Sequence, residues 1–298
     1  MDVQWSLVFF AALSAWGAGA YLAAVVFGEW LGWAKQALKP ALVVSAAALV
    51  VGALASMTHL GHLDRIFGVL SNPASGIFVE GLSAALLVLI IIVLLVAQAR
   101  QAKGSAIKTI ATVGLVPAIV LTVAVGSSYL MPARPAWSLP TLPLLSVGTA
   151  AVLGCLTVLA LNALVKGNED KAALARSAAG LKKVTLAVLI VQTVLLAAYL
   201  VTVGAAPFQE YSRSVERIAA GDLAPLFWGA VVVLGIVVPF AAVLFQGRGH
   251  VQVSDDQATS AVAGGALLAV ALVCAVAAAV AFRMVMFSIG SSVIVFGF

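Results

Sequence analysis

The sequence predicts an all-α fold: a polytopic membrane protein with eight transmembrane helices, divided into two four-helix bundles over residues 1–131 and 143–298 of a single integral membrane domain, 1–298. Three observations predict it. The 298 residues are 63% hydrophobic and only 9% charged, with a mean hydropathy of +1.17, whereas soluble domains carry about 25% charged residues. Apolar runs of about 18 residues or more recur along the whole chain. Lys and Arg are concentrated in alternate connections between those runs.

The eight runs are 5–28, 41–60, 76–98, 109–131, 143–165, 184–205, 224–246 and 259–282. Each approaches the ~20 residues that cross ~30 Å of hydrocarbon as a helix. Lipid offers backbone amides no partner, so a spanning segment must satisfy its own hydrogen bonds. The first run lacks a basic flank and a polar domain after it, so it reads as a span rather than a signal peptide. Connections after runs 1, 3, 5 and 7 hold eleven Lys and Arg; those after runs 2, 4 and 6, with the tail, hold five. The positive-inside rule then places the richer set in the cytoplasm and both termini outside. The net charge of +5 is therefore topological information and not a nucleic-acid footprint. The connection "KGNEDKAALARSAAGLKK" (166–183) is too short for a domain, so an aqueous catalytic domain would come from another subunit. Cys155 and Cys274 lie inside apolar runs without a CxxC pattern, which points to packing and to no metal or cluster in this chain.

Chemistry-bearing residues gather in "ASMTHLGHLDRIFGVLSNPASGIFVEGL" (55–82), on the predicted outer face. Glu80 lies about one turn inside span 3. An ionised carboxylate there is costly unless it is paired, protonated or facing a cavity, and intramembrane acids are functional candidates by default; the alternative is an interfacial acid reaching outward. His59 ends span 2, with Ser56 one turn below it on the same face. A neutral imidazole beside an apolar cavity can accept a hydroxyl proton and release it to water, or can simply bond nearby carbonyls. Arg65 and Asp64 fit a solvated pair, and Arg65 could also bind a carbonyl. The three histidines, His59, His62 and His250, cannot supply facing ligands for a haem, since two share one helix end and the third is on the other face. Asn162 and Gln192 suit interhelical hydrogen bonds. Tryptophans 5, 30, 33, 137 and 228 sit near span ends as an aromatic belt would; Trp137, between prolines, could also wall a pocket.

Several of these stretches resemble one family in order and spacing. "SMTHLG" (56–61) resembles an S-M-x-H-L-G run, followed by Arg65, Phe67 and the glutamate of the next helix, Glu80. "PAWSLPTLP" (135–143) resembles a P-x-W-x₅-P loop, "PFQEYSRSVERIAAG" (207–221) a similar outer segment, and "RMVMF" (283–287) an R-x-V-x-[FY] helix end. The family is the membrane anchor subunit of dimethyl sulfoxide reductase-type complexes, within the polysulfide and nitrite reductase membrane-subunit superfamily. Two positions depart from it: Ala279 replaces a glutamate four residues before the last-helix arginine, and "GSSYL" (126–130) lacks a basic residue near the end of span 4.

The resemblance implies a quinol dehydrogenase subunit without haem, binding menaquinol near the outer face in the first bundle. It implies electron transfer to a four-cluster ferredoxin-like iron–sulfur subunit, which feeds a molybdopterin catalytic subunit. His59 and Glu80 would be the proton acceptors, with Ser56, Arg65 and Trp137 helping to hold the ring. The rival readings are a secondary transporter or proton-coupled channel, supported by many spans and one buried acid, and an anchor with no quinol site.

Overall fold

The computed structural model describes residues 4–58, 72–132, 134–165, 171–205, 209–246 and 257–289. Among the described residues there are helices and no strands, and eight segments are long and apolar enough to cross a membrane. The chain is an all-α polytopic membrane protein. Helix α1 (Trp5–Ala23) runs on as a π-helical stretch (Ala24–Trp30), and a turn through Gly32, at φ +66°, leads to α2 (Lys35–Met57). Then come α3 (Gly76–Ala99), α4 (Gly104–Val113), α5 (Leu115–Ser127), a 3₁₀ turn (Pro135–Trp137) and α6 (Thr141–Leu164). The last third comprises α7 (Lys171–Gly204), α8 (Gln209–Ala219), a π-helix (Leu226–Val237) continuing as α9 (Val238–Phe245), and α10 (Gln257–Ile289).

The expected spans are all present, with four differences at their edges. Helix α2 runs back through Pro40, and α7 absorbs 171–183, read from sequence as a loop. Most of the polar segment 207–222 is the short helix α8. Helix α10 continues to Ile289, which puts Arg283 inside a span and not beyond its end. Removing Arg283 from the outer count sharpens the basic asymmetry to eleven against four.

Burial follows the logic of a protein dissolved in lipid. On α3 the exposed stripe is Leu82, Leu86, Leu89, Val93 and Val96, and the buried stripe is Glu80, Ala84, Leu87, Ile91 and Leu94. Both have the i, i+3, i+4 spacing of a helix face, and both are apolar apart from Glu80. Small residues mark the inward faces instead, because they let helices approach closely. Helices α1 and α6 form the centre, and both are mostly buried. They cross where Gly19 faces Ala150 and Gly154 faces Gly19: a Cβ on either glycine would strike the opposing backbone carbonyl. Trp16 donates to Thr157 Oγ1 across this contact at 2.9 Å. Around the pair, α1 packs with α2 and α5, and α3 with α2 and α5; α6 packs with α7 and α10, and α10 with the π-helix and α9.

Span 4 is broken at Gly114. Pro117 lacks the amide that would bond Val113, and its ring crowds that carbonyl. Just before the break, the carbonyl of Ala111 accepts a 2.8 Å hydrogen bond from the buried Tyr21 hydroxyl of α1. Only glycine permits this, since a Cβ at position 114 would occupy the space of that hydroxyl. Gly114→Ala and Tyr21→Phe are each expected to destabilise the chain by about 1–3 kcal/mol, the range for orphaning a buried polar group. Thermal unfolding in detergent should show the double variant little worse than either single one, because both remove the same bond.

Two side chains tie helix ends. Lys182 donates to the carbonyls of Leu244 (3.1 Å) and Gln246 (2.8 Å), placing a cation at the C-terminus of α9. At the other end Arg217 of α8 grips Asp222 with two bonds of 2.9 and 2.7 Å and donates to the Ser288 carbonyl of α10 at 2.8 Å. The hydrogen bond from Arg217 holds the Asp222 carboxyl below the usual carboxylate range. A lowered folded-state value means this contact supports the fold above the ordinary carboxylate range and is lost as pH falls through the lowered value. Acidification is therefore expected to lower the amide-exchange protection factors over 214–223 relative to the intrinsic rate at each pH, and Asp222→Asn to lower them at neutral pH. The effect is local, since Arg217 and Asp222 are 42% and 61% exposed.

Candidate functional site

The site is built where α3, α5, α6 and α10 meet, at the end of the molecule opposite Lys35, Lys103 and Lys183. Ser75 caps α3 by accepting from the Phe78 amide at 3.2 Å. Gly76 follows, and a Cβ there would collide with the Ser128 hydroxyl, so this glycine lets the start of α3 touch the end of α5. One turn further, Glu80 points inward and is only 8% exposed. Ser128 hydrogen-bonds its carboxylate, while Oε1 is buried without a hydrogen-bond partner among the described residues. An orphaned acid oxygen in lipid is costly and marks a place where another donor fits.

The countercharge comes from the other half of the chain. Arg283 of α10 is 4% exposed. Its Nη2 donates to Ser146 Oγ of α6 at 2.8 Å, its Nη1 meets Met286 Sδ at 3.7 Å, and its guanidinium lies 5.4 Å from the Tyr129 ring centroid. Ser146 in turn donates to the Leu142 carbonyl at 3.3 Å. Gly126 permits the approach, since a Cβ there would lie 2.6 Å from Pro143 Cα and 2.9 Å from Ser146 Oγ. Tyr129 lies between the two charges: its ring is 5.4 Å from the Arg283 guanidinium, and it directly follows Ser128, against which the start of α3 packs at Gly76. A phenol ionises only at about pH 10, so Tyr129 is a neutral donor at physiological pH.

Aromatic rings close the cluster. Tyr129, Trp137 and Phe287 pack edge to face in all three pairings, at 5.8, 5.6 and 5.3 Å, a geometry that suits the ring quadrupoles. Trp137 Nε1 donates to the Met286 carbonyl at 2.8 Å, and Arg134 covers the indole at 4.3 Å.

Of the residues singled out from sequence, Glu80 and Trp137 lie in one neighbourhood, linked through Tyr129. Trp137 is 3% exposed and packed behind that ring, so it is core and not part of an aromatic belt; Trp5, Trp30 and Trp228 are the exposed ones. Ser56 is half-buried in the last turn of α2, which packs along α3. His59, His62, Asp64, Arg65 and Phe67 lie outside the described residues. Gln192 donates to Thr149 Oγ1 at 3.1 Å, an interhelical bond as expected, but Asn162 Oδ1 is buried with no partner among the described residues. Sequence reasoning missed Arg283, Ser128, Tyr129 and Ser146. Arg283 carries the same signal as Glu80, a charge beside apolar helix, but the span read from sequence stops at 282, seven residues short of the end of α10. The divergent "GSSYL" stretch turns out to supply Gly126, Ser128 and Tyr129.

A separate cavity of ≈ 50 Å³ lies between α6, α7, the π-helix and α10, lined by Thr149, Gln192, Gly235, Ala279 and Phe282 among others. It contains no acid or base, so it cannot accept protons. No protein-family model and no curated protein sequence matches the chain.

Proposed function

We propose that this chain is the membrane anchor and quinol-oxidising subunit of a multi-subunit reductase, taking electrons from menaquinol. The observation that carries the reading is Glu80: an inward-facing acid with a buried oxygen that has no partner among the described residues, beside the end of the helix that runs into "SMTHLG". Its support from sequence is the resemblance to dimethyl sulfoxide reductase-type anchors.

Oxidising a quinol to a quinone releases two protons and two electrons. Electrons tunnel to a nearby cluster, but protons need discrete acceptors. His59 accepts a hydrogen bond from one quinol hydroxyl and takes its proton. Glu80 Oε1 takes the second, and both protons leave at the outer face. Ser56 and Arg65 hold the ring, and Trp137 supports the site from behind Tyr129. The electrons pass to the four-cluster ferredoxin-like partner and on to the molybdopterin subunit, in a cytoplasmic or inner membrane with both termini of this chain outside. Transport would call for ionisable groups at broken helices near the midplane; the interrupted stretches 110–118 and 226–237 carry none.

The test is purification of the tagged full chain from its native membrane. An iron–sulfur and a molybdopterin chain should co-purify, and a fluorescent quinol-site inhibitor should be quenched on binding and displaced by menaquinol. Recovery of the chain without such partners, and without quenching, would refute the reading.

A further inference from the structure

Arg283 has no place in the proton chemistry above, yet it is among the most expensive side chains in the molecule. A guanidinium is charged at any physiological pH, and burying one in a membrane bundle is tolerated where an anion or a polar cavity compensates it. Among the described residues its direct bonds go to one hydroxyl and one thioether, both neutral. The groups that face Glu80 from the surrounding elements are few. Helix α5 and its continuation contribute Ser128 and the neutral phenol of Tyr129, α10 contributes Arg283, and α6 contributes no acid or base at this end. Among the described residues α2 offers none there either, its lysines Lys35 and Lys39 being at the opposite end. Among the described residues, which do not include His59 or Arg65, Arg283 is thus the buried cation at this end, and Ser146 and the Tyr129 ring fix where it sits.

We propose that Arg283 is a positioning residue for Glu80: anchored by Ser146 in the second bundle, its buried guanidinium sets the charge of a carboxylate in the first, so the proton acceptor is assembled by both bundles. This rests on the quinol reading only for its functional consequence; the pairing is argued from the burial of both groups at one end of the molecule and from Ser128 and Tyr129, which lie between them.

The experiment has two arms. In the first, the full chain in lipid nanodiscs is titrated by pH-difference infrared spectroscopy, and the protonated-carboxyl stretch of Glu80 is assigned by its loss in Glu80→Gln. Arg283→Gln is expected to move the midpoint of that band up by about one pH unit or more, the effect of removing an opposite charge. Arg283→Lys should stay near the wild type. Ser146→Ala, which frees the guanidinium without removing it, should move the midpoint the same way by less, and serves if Arg283→Gln does not fold. Unchanged midpoints in the folded variants would overturn the proposal. In the second arm, menaquinol oxidation by the purified complex is followed against pH, and the acid limb should shift by the same amount. A shifted infrared band with no quinol turnover in the wild type would leave the pairing standing and remove the quinol reading. Normal quinol turnover with an unmoved band would do the reverse.

Discussion

Glu80→Lys is expected to abolish menaquinol-dependent turnover of the complex, with a loss of at least ~10²-fold, the lower bound for removing a positioned proton acceptor. Electron delivery from an artificial donor directly to the partner subunits should be unaffected. The substitution acts twice. It deletes the carboxylate whose Oε1 has no partner among the described residues, and it sets an ammonium in a buried space at the end of the molecule that also buries Arg283. Glu80→Gln separates the two effects, because it keeps the shape and the Ser128 contact while losing only the base. It should therefore lose turnover with less loss of stability than Glu80→Lys. His59→Arg should match it in turnover, through the other proton. Quinol turnover surviving in both Glu80→Gln and His59→Arg would exclude this site.

The largest effect on the fold is expected from Gly19→Leu, with Gly154→Val close behind. At this crossing the backbones of α1 and α6 are in contact, so an added side chain meets carbonyl groups and not a flexible neighbour. Overpacking of an ordinary core costs about 1–3 kcal/mol, and the central pair cannot yield without separating the two halves of the molecule. Little monodisperse protein should be recovered from detergent by size exclusion. Gly81→Ala is the control: position 81 is also a helical glycine, but nothing lies within 4 Å of a Cβ there, and it should behave as the wild type. Equal recovery of all three variants would show that the crossing does not hold the fold.

The candidate site was half legible in the sequence. Glu80 stood out because charge is rare in this chain and lipid makes it conspicuous. The resemblance marked "RMVMF", but nothing in one sequence indicated that its arginine faces Glu80, some 200 residues away. Trp137 was placed near the right end of the molecule with two possible roles, belt or wall, and its burial behind Tyr129 excludes the first. Ser128 and Ser146 were invisible for a simpler reason. A serine in an apolar helix usually bonds its own backbone, as Ser146 does, and only the arrival of Arg283 gives it a second task.

The sequence by itself determined that this protein is all helical, that it crosses the membrane eight times, and that basic residues crowd one end. These follow from solvent alone: lipid forces every backbone amide into an internal hydrogen bond and makes isolated charges expensive. Only the tertiary structure decided which face of each helix turns inward and which helices are neighbours. In water an apolar stripe would have marked the buried face. In lipid an outward leucine is as comfortable as an inward one, so α3 reads alike on both sides apart from Glu80. What separated the faces was close approach at Gly19, Gly76, Gly126 and Gly154.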